Sequence, residues 1–286
     1  MRSENHALIA PLVQARGLHY TYPDGTSALR GIDLEIHRGD FVAIIGENGS
    51  GKTTLVKHFN GLLKSTEGNV SVMGIDTRNA TIAELSTRVG YVFQNPDDQI
   101  CTSRVKEEVA FGAKNLGLPR DEIVRRSEKA MKETGIYHLK DQHPLYLGKG
   151  ERQRVAVASI LAMQPEVLIV DEPTTGQDRR QSRQMMDMTR QLYSQGYTVI
   201  IITHDMRLVA DYAKRVVVLC NGKVLFDGSP ADAFSRPEKI RESALQPPQI
   251  TQLAQMLRDF GFPPDILNAE QMYVAFKGIY ARSRGI

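Results

Sequence analysis

The sequence predicts an α/β fold with a mostly parallel β-sheet covered by helices on both faces, and two observations lead to this prediction. Several strand-length runs, among them residues 41–45 and 167–171, are apolar almost throughout, which is typical of strands buried on both faces of a sheet. These runs alternate with segments of helical periodicity, as expected of strands joined by crossover helices. A chain of 286 residues is long enough for one large domain and a smaller appendage.

The first hundred residues are predicted to form mainly strands. Residues 31–36 alternate apolar and polar side chains, as a half-buried strand does, so we expect an antiparallel β subdomain near the N-terminus. Further strands are predicted at residues 69–73 and 89–93. Between them, Thr81 is expected to cap a helix, with Glu84 as its capping-box partner.

The pattern then becomes helical. Val105 and Val109 recur at helical spacing, Pro119 opens a second, charged helix, and residues 152–163 form a third candidate. Because this stretch interrupts a series of strands, it is predicted to be an inserted helical subdomain at about residues 97–165.

Strands and helices alternate again in the second half of the chain. A polar helix is predicted at residues 179–195, and the Asn221-Gly222 pair between two apolar runs predicts a β-hairpin. We therefore expect one main domain over residues 12–232. Beyond it, prolines punctuate short helical segments, which predicts a small C-terminal module at residues 233–286.

The stretch from Gly46 to Thr53 matches the phosphate-binding motif G-x-x-x-x-G-K-[ST] at every fixed position, between a predicted strand and a predicted helix. Its glycines allow backbone N–H groups to surround an oxygen-rich anion, and the following helix N-terminus adds favourable partial charge. Lys52 is expected to reach the β- and γ-phosphates, and Thr53 to place its hydroxyl on Mg²⁺. The residues expected to hold a nucleoside triphosphate here are Gly46, Asn48, Gly49, Ser50, Gly51, Lys52, Thr53 and Thr54.

Polar side chains follow three other predicted strands. Asp171 is expected to hold Mg²⁺, directly or through water, and Glu172 to orient and deprotonate an attacking water. His204 is expected to donate a hydrogen bond to the γ-phosphate, and Gln94 to contact Mg²⁺ or the water. Each residue alone could be structural. With the phosphate loop upstream, they predict a site that hydrolyses a nucleotide.

In this order the motifs resemble those of the ATP-binding subunits of ABC transporters, over about the first 230 residues. More narrowly, residues 92–99, 109–112 and 245–249 resemble the energy-coupling factor (ECF) group, whose importers take up vitamins or transition-metal ions. The resemblance implies an ATPase with ATP and Mg²⁺ as cofactors, in which two ATPase subunits enclose the nucleotides. It also implies an integral membrane partner and a peripheral location on the cytoplasmic face of the cell membrane.

The resemblance carries over to three further positions. Tyr22 would stack on adenine, and Gln94 would pass the nucleotide state to the membrane subunit. Asp178 would lie at the interface between the two ATPase subunits.

The segment aligned with the family's LSGGQ signature departs from it at three of five positions; it consists of Leu147, Gly148, Lys149, Gly150 and Glu151. Gly148 replaces the serine that would contact the γ-phosphate across the dimer. Either the signature is degenerate, or Lys149 supplies a cation in place of the lost hydroxyl. The first interpretation is favoured, because a lysine here must also avoid blocking the close approach that glycine permits. Since the chain's own nucleotide residues are complete, a heterodimer with a second ABC ATPase is favoured over a homodimer.

Composition limits the other function classes. The net charge of +3, without a basic stripe, gives no indication of nucleic-acid binding. No run approaches the roughly 18–20 apolar residues of a membrane span, so if the chain works at a membrane, we expect it to do so from the cytosol through partners. The alternatives are a soluble ABC-type ATPase that acts on DNA or ribosomes, and a regulatory subunit that binds ATP without turnover. A metabolite kinase or GTPase would share only the phosphate loop.

Overall fold

The computed structural model describes residues 10–235, 240 and 242–284, so the predicted C-terminal module at residues 233–286 lies partly outside the described residues. The described strands are, in chain order, β1 (Val13–Thr21), β2 (Ser27–Ile36), β3 (Phe41–Ile45), β4 (Glu67–Val72), β5 (Ile75–Asp76), β6 (Val89–Val92), β7 (Val167–Asp171), β8 (Thr198–Ile202), β9 (Arg215–Cys220) and β10 (Lys223–Gly228). The described α-helices are α1 (Lys52–Phe59), α2 (Ile82–Ser86), α3 (Val105–Asn115), α4 (Arg120–Glu133), α5 (Lys149–Leu161), α6 (Arg179–Ser194), α7 (Met206–Tyr212), α8 (Pro230–Ser235), α9 (Gln249–Met256) and α10 (Ala269–Arg284).

Two sheets organise the strands. One is antiparallel, with the strand order β2-β1-β4-β5, and forms the predicted N-terminal β subdomain. The other has the order β10-β9-β3-β8-β7-β6, and its neighbouring strands are parallel except in the β9–β10 hairpin. The predicted α/β fold with a mostly parallel sheet is therefore confirmed.

Alternate residues of the central strand β3 face two different cores. Val42 and Ile44 pack with the antiparallel sheet and α1, whereas Phe41, Ala43 and Ile45 pack with α6 and α7. Every residue of β3, β7 and β8 is buried, which explains why these segments lack polar alternation.

The turns and caps follow local chemistry. Asn221 and Gly222 both have positive φ, of 49° and 76°, as a two-residue hairpin turn requires. The Thr81 hydroxyl accepts the Glu84 N–H at 3.2 Å, as predicted for a helix N-cap.

The predicted start of the third helix was wrong by three residues. Helix α5 begins at Lys149, not at residue 152, because the Glu151 carboxylate accepts the N–H of the capping residue Gly148 at 2.9 Å and stabilises the first turn. Strand β8 ends at Ile202, so His204 lies in the following loop, where Asp205 caps α7 by accepting the Arg207 N–H at 2.9 Å.

Helices α3, α4 and α5 lie between β6 and β7, within the predicted range of the inserted subdomain, and share a core that includes Val109, Met131 and Val157. Helices α9 and α10 pack around Phe262 and Ile266 near the C-terminus. Among the described residues, no helix combines the length and hydropathy needed to cross a bilayer.

The parallel pairing determines where the site forms. Strands β3, β8, β7 and β6 run in the same direction, so their carboxyl ends meet along one edge of the sheet. The predicted phosphate loop lies at this edge, together with Gln94, Asp171, Glu172 and His204, which lie at or just after the ends of these strands.

Candidate active site

The phosphate loop runs from the end of β3 to the start of α1 and is packed tightly against neighbouring backbone. A Cβ on Gly46 would lie 2.3 Å from the Leu219 carbonyl oxygen, and a Cβ on Gly51 would lie 2.8 Å from that of Ala28. The Gly222 N–H donates to the Ser50 carbonyl at 3.2 Å, so the β9–β10 hairpin supports the loop from outside. The glycines are therefore required by packing as well as by any ligand.

Lys52 is the first residue of α1 and is only 8% exposed. Its ammonium group donates to the carbonyl oxygens of Gly46 and Glu47, each at 2.8 Å, and so lies within the loop. Burial lowers the pKa of Lys52, while the nearby carboxylates of Glu172 and Asp171 act in the opposite direction. The phosphate loop thus holds a partly desolvated ammonium group, which would interact strongly with an anion bound in the loop.

Asp171, the last residue of β7, is buried among hydrogen-bond donors. Its Oδ2 accepts from the Tyr91 hydroxyl at 2.7 Å and from the Thr53 hydroxyl at 3.0 Å. Its Oδ1 is buried and has no hydrogen-bond partner among the described residues. Burial raises the pKa of Asp171, and the hydrogen bonds from Tyr91 and Thr53 oppose that rise.

These residues fit a magnesium ion. An unpartnered buried carboxylate oxygen beside a threonine hydroxyl is a hard oxygen donor set of the kind that Mg²⁺ prefers. The described residues contain no cluster of three or more acidic, histidine or cysteine ligands. A magnesium ion here would be held by protein oxygens together with the phosphates of a nucleotide.

Glu172 and His204 form the other polar pair of the site. Glu172 Oε1 lies 2.9 Å from His204 Nδ1, and the Thr175 hydroxyl donates to Glu172 Oε2 at 3.3 Å. The Glu172 side chain is 10% exposed and that of His204 is 65% exposed, so the pair extends from the protein interior to the surface. Glu172 has φ of +47°, an uncommon conformation for a non-glycine residue, and its N–H donates to the Ile202 carbonyl at 2.9 Å.

Two adjoining cavities contain most of the predicted nucleotide residues. The first, of about 370 Å³, is lined by Tyr22, Thr26, Ser27, Ala28, Asn48, Gly49, Gly51, Lys52, Thr53, Thr54, Gln94, Asp171, Glu172 and Ile202. The second, of about 280 Å³, is lined by Gly46, Glu47, Asn48, Gln94, Glu172, Thr175, His204 and Leu245. Ser50 lines neither cavity, and its hydroxyl is buried without a hydrogen-bond partner among the described residues.

The predicted adenine-stacking residue lies at one end of the first cavity. The Tyr22 hydroxyl is 2.9 Å from the Thr54 hydroxyl, and its ring meets the Tyr20 ring edge to face with centroids 4.9 Å apart. Tyr22 is therefore tied both to strand β1 and to helix α1.

The signature residues lie apart from both cavities, at the start of α5. Leu147 is buried, and the Lys149 ammonium approaches Gly176, where a Cβ would lie 2.7 Å from Lys149 Nζ. Asp178, the predicted interface residue, caps α6 by accepting the Gln181 N–H at 2.8 Å.

Sequence reasoning missed several residues of the site, among them Tyr91, Thr175 and Leu245. Tyr91 lies in an apolar strand with no motif of its own, and only the β6–β7 register brings its hydroxyl to Asp171. Leu245 reaches the second cavity from the segment that follows the main domain, a contact that no local pattern indicates.

A glycine loop after one strand, a buried lysine and an acid at the end of another strand of the same sheet define the class of P-loop nucleotide-binding proteins. The family model described as "ABC transporter" matches residues 29–175. The chain therefore belongs to the ABC transporter family of ATP-binding proteins.

Individual relatives within this family can be compared with the chain. The energy-coupling factor transporter ATP-binding protein EcfA1 of Caldanaerobacter subterraneus subsp. tengcongensis is 44% identical over 272 residues, covering 92% of this chain and 98% of that protein. The first two curated relatives are both 47% identical, but this chain spans only 43% and 41% of their length.

Two solved structures are similar. CbiO1 from Clostridium perfringens, described as part of the ABC transporter complex cbiONQ, has a TM-score of 0.76 and 40% identity, covering 86% of this chain and all of that one. The ATP-binding cassette MJ0796, solved as a dimer with ADP and Pi, has a TM-score of 0.69 and 28% identity, covering 76% of this chain and 98% of that one.

Replacing Tyr91 with Phe should raise the Mg²⁺ concentration needed for half-maximal ATP hydrolysis by about 3- to 10-fold, because Asp171 loses one of its two hydrogen-bond donors. Mg²⁺ titration of ATPase activity at saturating ATP measures this. Tyr212→Phe is the matched control, since it removes a tyrosine–aspartate bond of 2.9 Å to Asp187 away from the site. Equal Mg²⁺ dependence in both variants would show that Tyr91 does not support the metal position.

Proposed function

We propose that this chain binds MgATP and hydrolyses it as the ATPase subunit of an ECF-type importer. The observation that carries this proposal is the Glu172–His204 pair, held at 2.9 Å beside the phosphate loop and next to Asp171. A carboxylate for the water, a donor for the γ-phosphate and a metal-binding acid are the groups that phosphoanhydride hydrolysis needs.

Binding would exchange internal contacts for contacts with the nucleotide. The Lys52 ammonium, now bonded to two backbone carbonyls, would turn to the β- and γ-phosphates, and the N–H groups of the loop and of the α1 N-terminus would surround them. The Tyr22 ring would stack on adenine, with its hydroxyl still bonded to Thr54.

Hydrolysis would begin with Glu172 accepting a proton from a water in the second cavity. The water oxygen attacks the γ-phosphorus, the bond to the β–γ bridging oxygen breaks, and ADP and inorganic phosphate result. His204, largely exposed and bonded to Glu172, would hydrogen-bond the γ-phosphate, and Gln94 would position the water.

Magnesium would be held by Thr53, Asp171 and Gln94. Mg²⁺ bound there would neutralise the charge that develops on the transferring phosphoryl group. Tyr91 keeps the Asp171 carboxylate oriented for this role through its hydrogen bond to Oδ2.

The proposed partners are a second ATPase subunit and an integral membrane subunit at the cytoplasmic face of the membrane. EcfA1, the dimeric MJ0796 cassette and the cbiONQ assembly of CbiO1 support this by likeness. Asp178 would lie at the contact between ATPase subunits, and exposed Gln94 would communicate with the membrane subunit. A vitamin or a metal ion, selected by the membrane subunit, is the proposed cargo.

The C-terminal helices offer a surface for the second ATPase subunit. A groove of about 710 Å³ lies between α9 and α10, and large apolar side chains around it are exposed: Leu253, Phe260, Tyr273, Phe276 and Tyr280. Contiguous exposed apolar surface is typical of protein contacts. We propose that the corresponding module of the second subunit covers it.

One observation favours a second candidate, a subunit whose signature serves its partner's nucleotide poorly. The Gly148 N–H is already bonded to the Glu151 carboxylate within the chain, and Gly148 has no hydroxyl to offer. The Lys149 ammonium lies against Gly176 of the same chain. The chain would then work best opposite a subunit with a complete signature, as a heterodimer.

Glu172→Gln should lower the rate of ATP hydrolysis by at least about 100-fold, because the amide cannot accept the proton from water. The dissociation constant for ATP should stay within about 3-fold of wild type, since the amide keeps the shape of the site. Steady-state hydrolysis and calorimetric binding measure the two quantities. Glu166→Gln, which alters a surface ion pair with Arg38, is the control, and equal activity in both variants would remove Glu172 as the base.

The combined change Gly148→Ser, Lys149→Gly and Glu151→Gln should raise turnover of the purified chain by about 10-fold or more, because it restores a hydroxyl donor to the signature. A Cβ on Gly148 meets its nearest atom, Glu151 Oε2, only at 3.7 Å, so a serine fits. ATPase assays and native mass spectrometry with ATP test this. Unchanged turnover, together with a loss of activity in Lys149→Ala, would favour Lys149 as the working cation instead.

A further inference from the structure

A buried histidine behind the phosphate loop has no part in the proposed mechanism. His58 lies in the last turn of α1, six residues after Lys52, and is fully buried. Its Nδ1 is hydrogen-bonded, but its Nε2 is buried without a hydrogen-bond partner among the described residues, which is costly where an apolar side chain would fill the space. Its contacts explain the choice.

His58 completes a closed set of contacts with two tyrosines and a threonine. Its Nδ1 lies 2.8 Å from the Thr54 carbonyl oxygen, and its ring meets the Tyr20 ring edge to face at 4.9 Å between centroids. Tyr20 meets Tyr22 in the same manner at 4.9 Å, and the Tyr22 hydroxyl returns to the Thr54 side chain at 2.9 Å.

The set joins two elements that would bind different parts of a nucleotide. Thr54 and His58 belong to helix α1 behind the phosphate loop, whereas Tyr20 lies in strand β1, which ends directly before Tyr22. We propose that His58 is a positioning residue for the nucleotide base, acting through Tyr20 and Thr54 on the ring of Tyr22. This inference rests on the proposed function, since it assumes that Tyr22 receives the base.

Histidine suits this role because one ring provides both contacts. Its N–H anchors the ring plane to the Thr54 carbonyl, so the edge presented to Tyr20 has a defined orientation. Burial lowers the pKa of His58, with the hydrogen bond to the Thr54 carbonyl opposing the change, which favours the neutral ring in the core. A phenylalanine would keep the edge contact but lose the anchor.

The test compares ATP with inorganic tripolyphosphate, which occupies a phosphate loop but has no base. Calorimetric dissociation constants are measured for both ligands with wild type, His58→Phe, His58→Leu, Tyr22→Ala and the double variant His58→Leu/Tyr22→Ala. Phe59→Leu is the control, because it shortens the adjacent fully buried aromatic residue of α1 and leaves the His58–Thr54 hydrogen bond and the His58–Tyr20 ring contact in place.

We expect His58→Leu to weaken ATP binding by about 3- to 10-fold and His58→Phe by less, with tripolyphosphate affinity within about 2-fold of wild type. In the Tyr22→Ala background, His58→Leu should have no further effect on ATP, because the two residues act in series. An undiminished effect in that background, or equal weakening of both ligands by His58→Phe, would overturn the inference.

Failure of the proposed function has a different outcome. A wild-type chain that binds ATP no better than tripolyphosphate, or that is unaffected by Tyr22→Ala, has no base site at Tyr22. If wild type prefers ATP through Tyr22 and both His58 variants leave that preference intact, only the role of His58 is wrong.

Discussion

The rest of the site depends on one buried ammonium group, that of Lys52. A cation taken from water is stabilised only if polar groups surround it, and here two loop carbonyls and two nearby carboxylates do so. The carbonyls point inward because the loop turns tightly at glycines that neighbouring backbone approaches within contact distance. The carboxylates are present because β7 lies one strand away from β3, across β8. The lowered pKa of Lys52 and the raised pKa of Asp171 have the same leading physical cause, burial, and magnesium with a triphosphate would supply charge of the required sign to both.

Much of this arrangement follows from local sequence. The apolar runs predict buried parallel strands, Asn221-Gly222 predicts the hairpin, and the motif around Lys52 predicts the phosphate loop, because each depends on neighbouring residues only. Tyr91 could not be found in this way, since its contact with Asp171 depends on the register between β6 and β7. In that register Val89 pairs with Val167, which is 78 residues further along the chain. The start of α5 was missed because it depends on the Glu151 carboxylate accepting the Gly148 N–H, a contact that hydrophobic periodicity does not show.

The chain's own nucleotide site is more complete than the signature segment that it would offer to a partner. The residues that would bind and hydrolyse the chain's own nucleotide line two adjoining cavities, and hydrogen bonds within the chain orient Asp171 and Glu172 there. The signature segment, which would serve a partner's nucleotide, directs its Gly148 N–H and its Lys149 side chain to groups of the same chain. An ATPase of this kind is better suited to receive a signature from a different subunit than to provide one, which is why we favour a heterodimer.

The most direct test of this account is the affinity for ATP with and without the Lys52 ammonium. Calorimetric titration of Lys52→Ala with MgATP should give a dissociation constant about 10- to 100-fold weaker than that of wild type, because charge-assisted hydrogen bonds to the phosphates are lost. Lys57→Ala, in the last turn of the same helix, should bind as wild type does. An affinity of Lys52→Ala equal to that of wild type would contradict the account, because the nucleotide would then be bound somewhere other than the glycine loop.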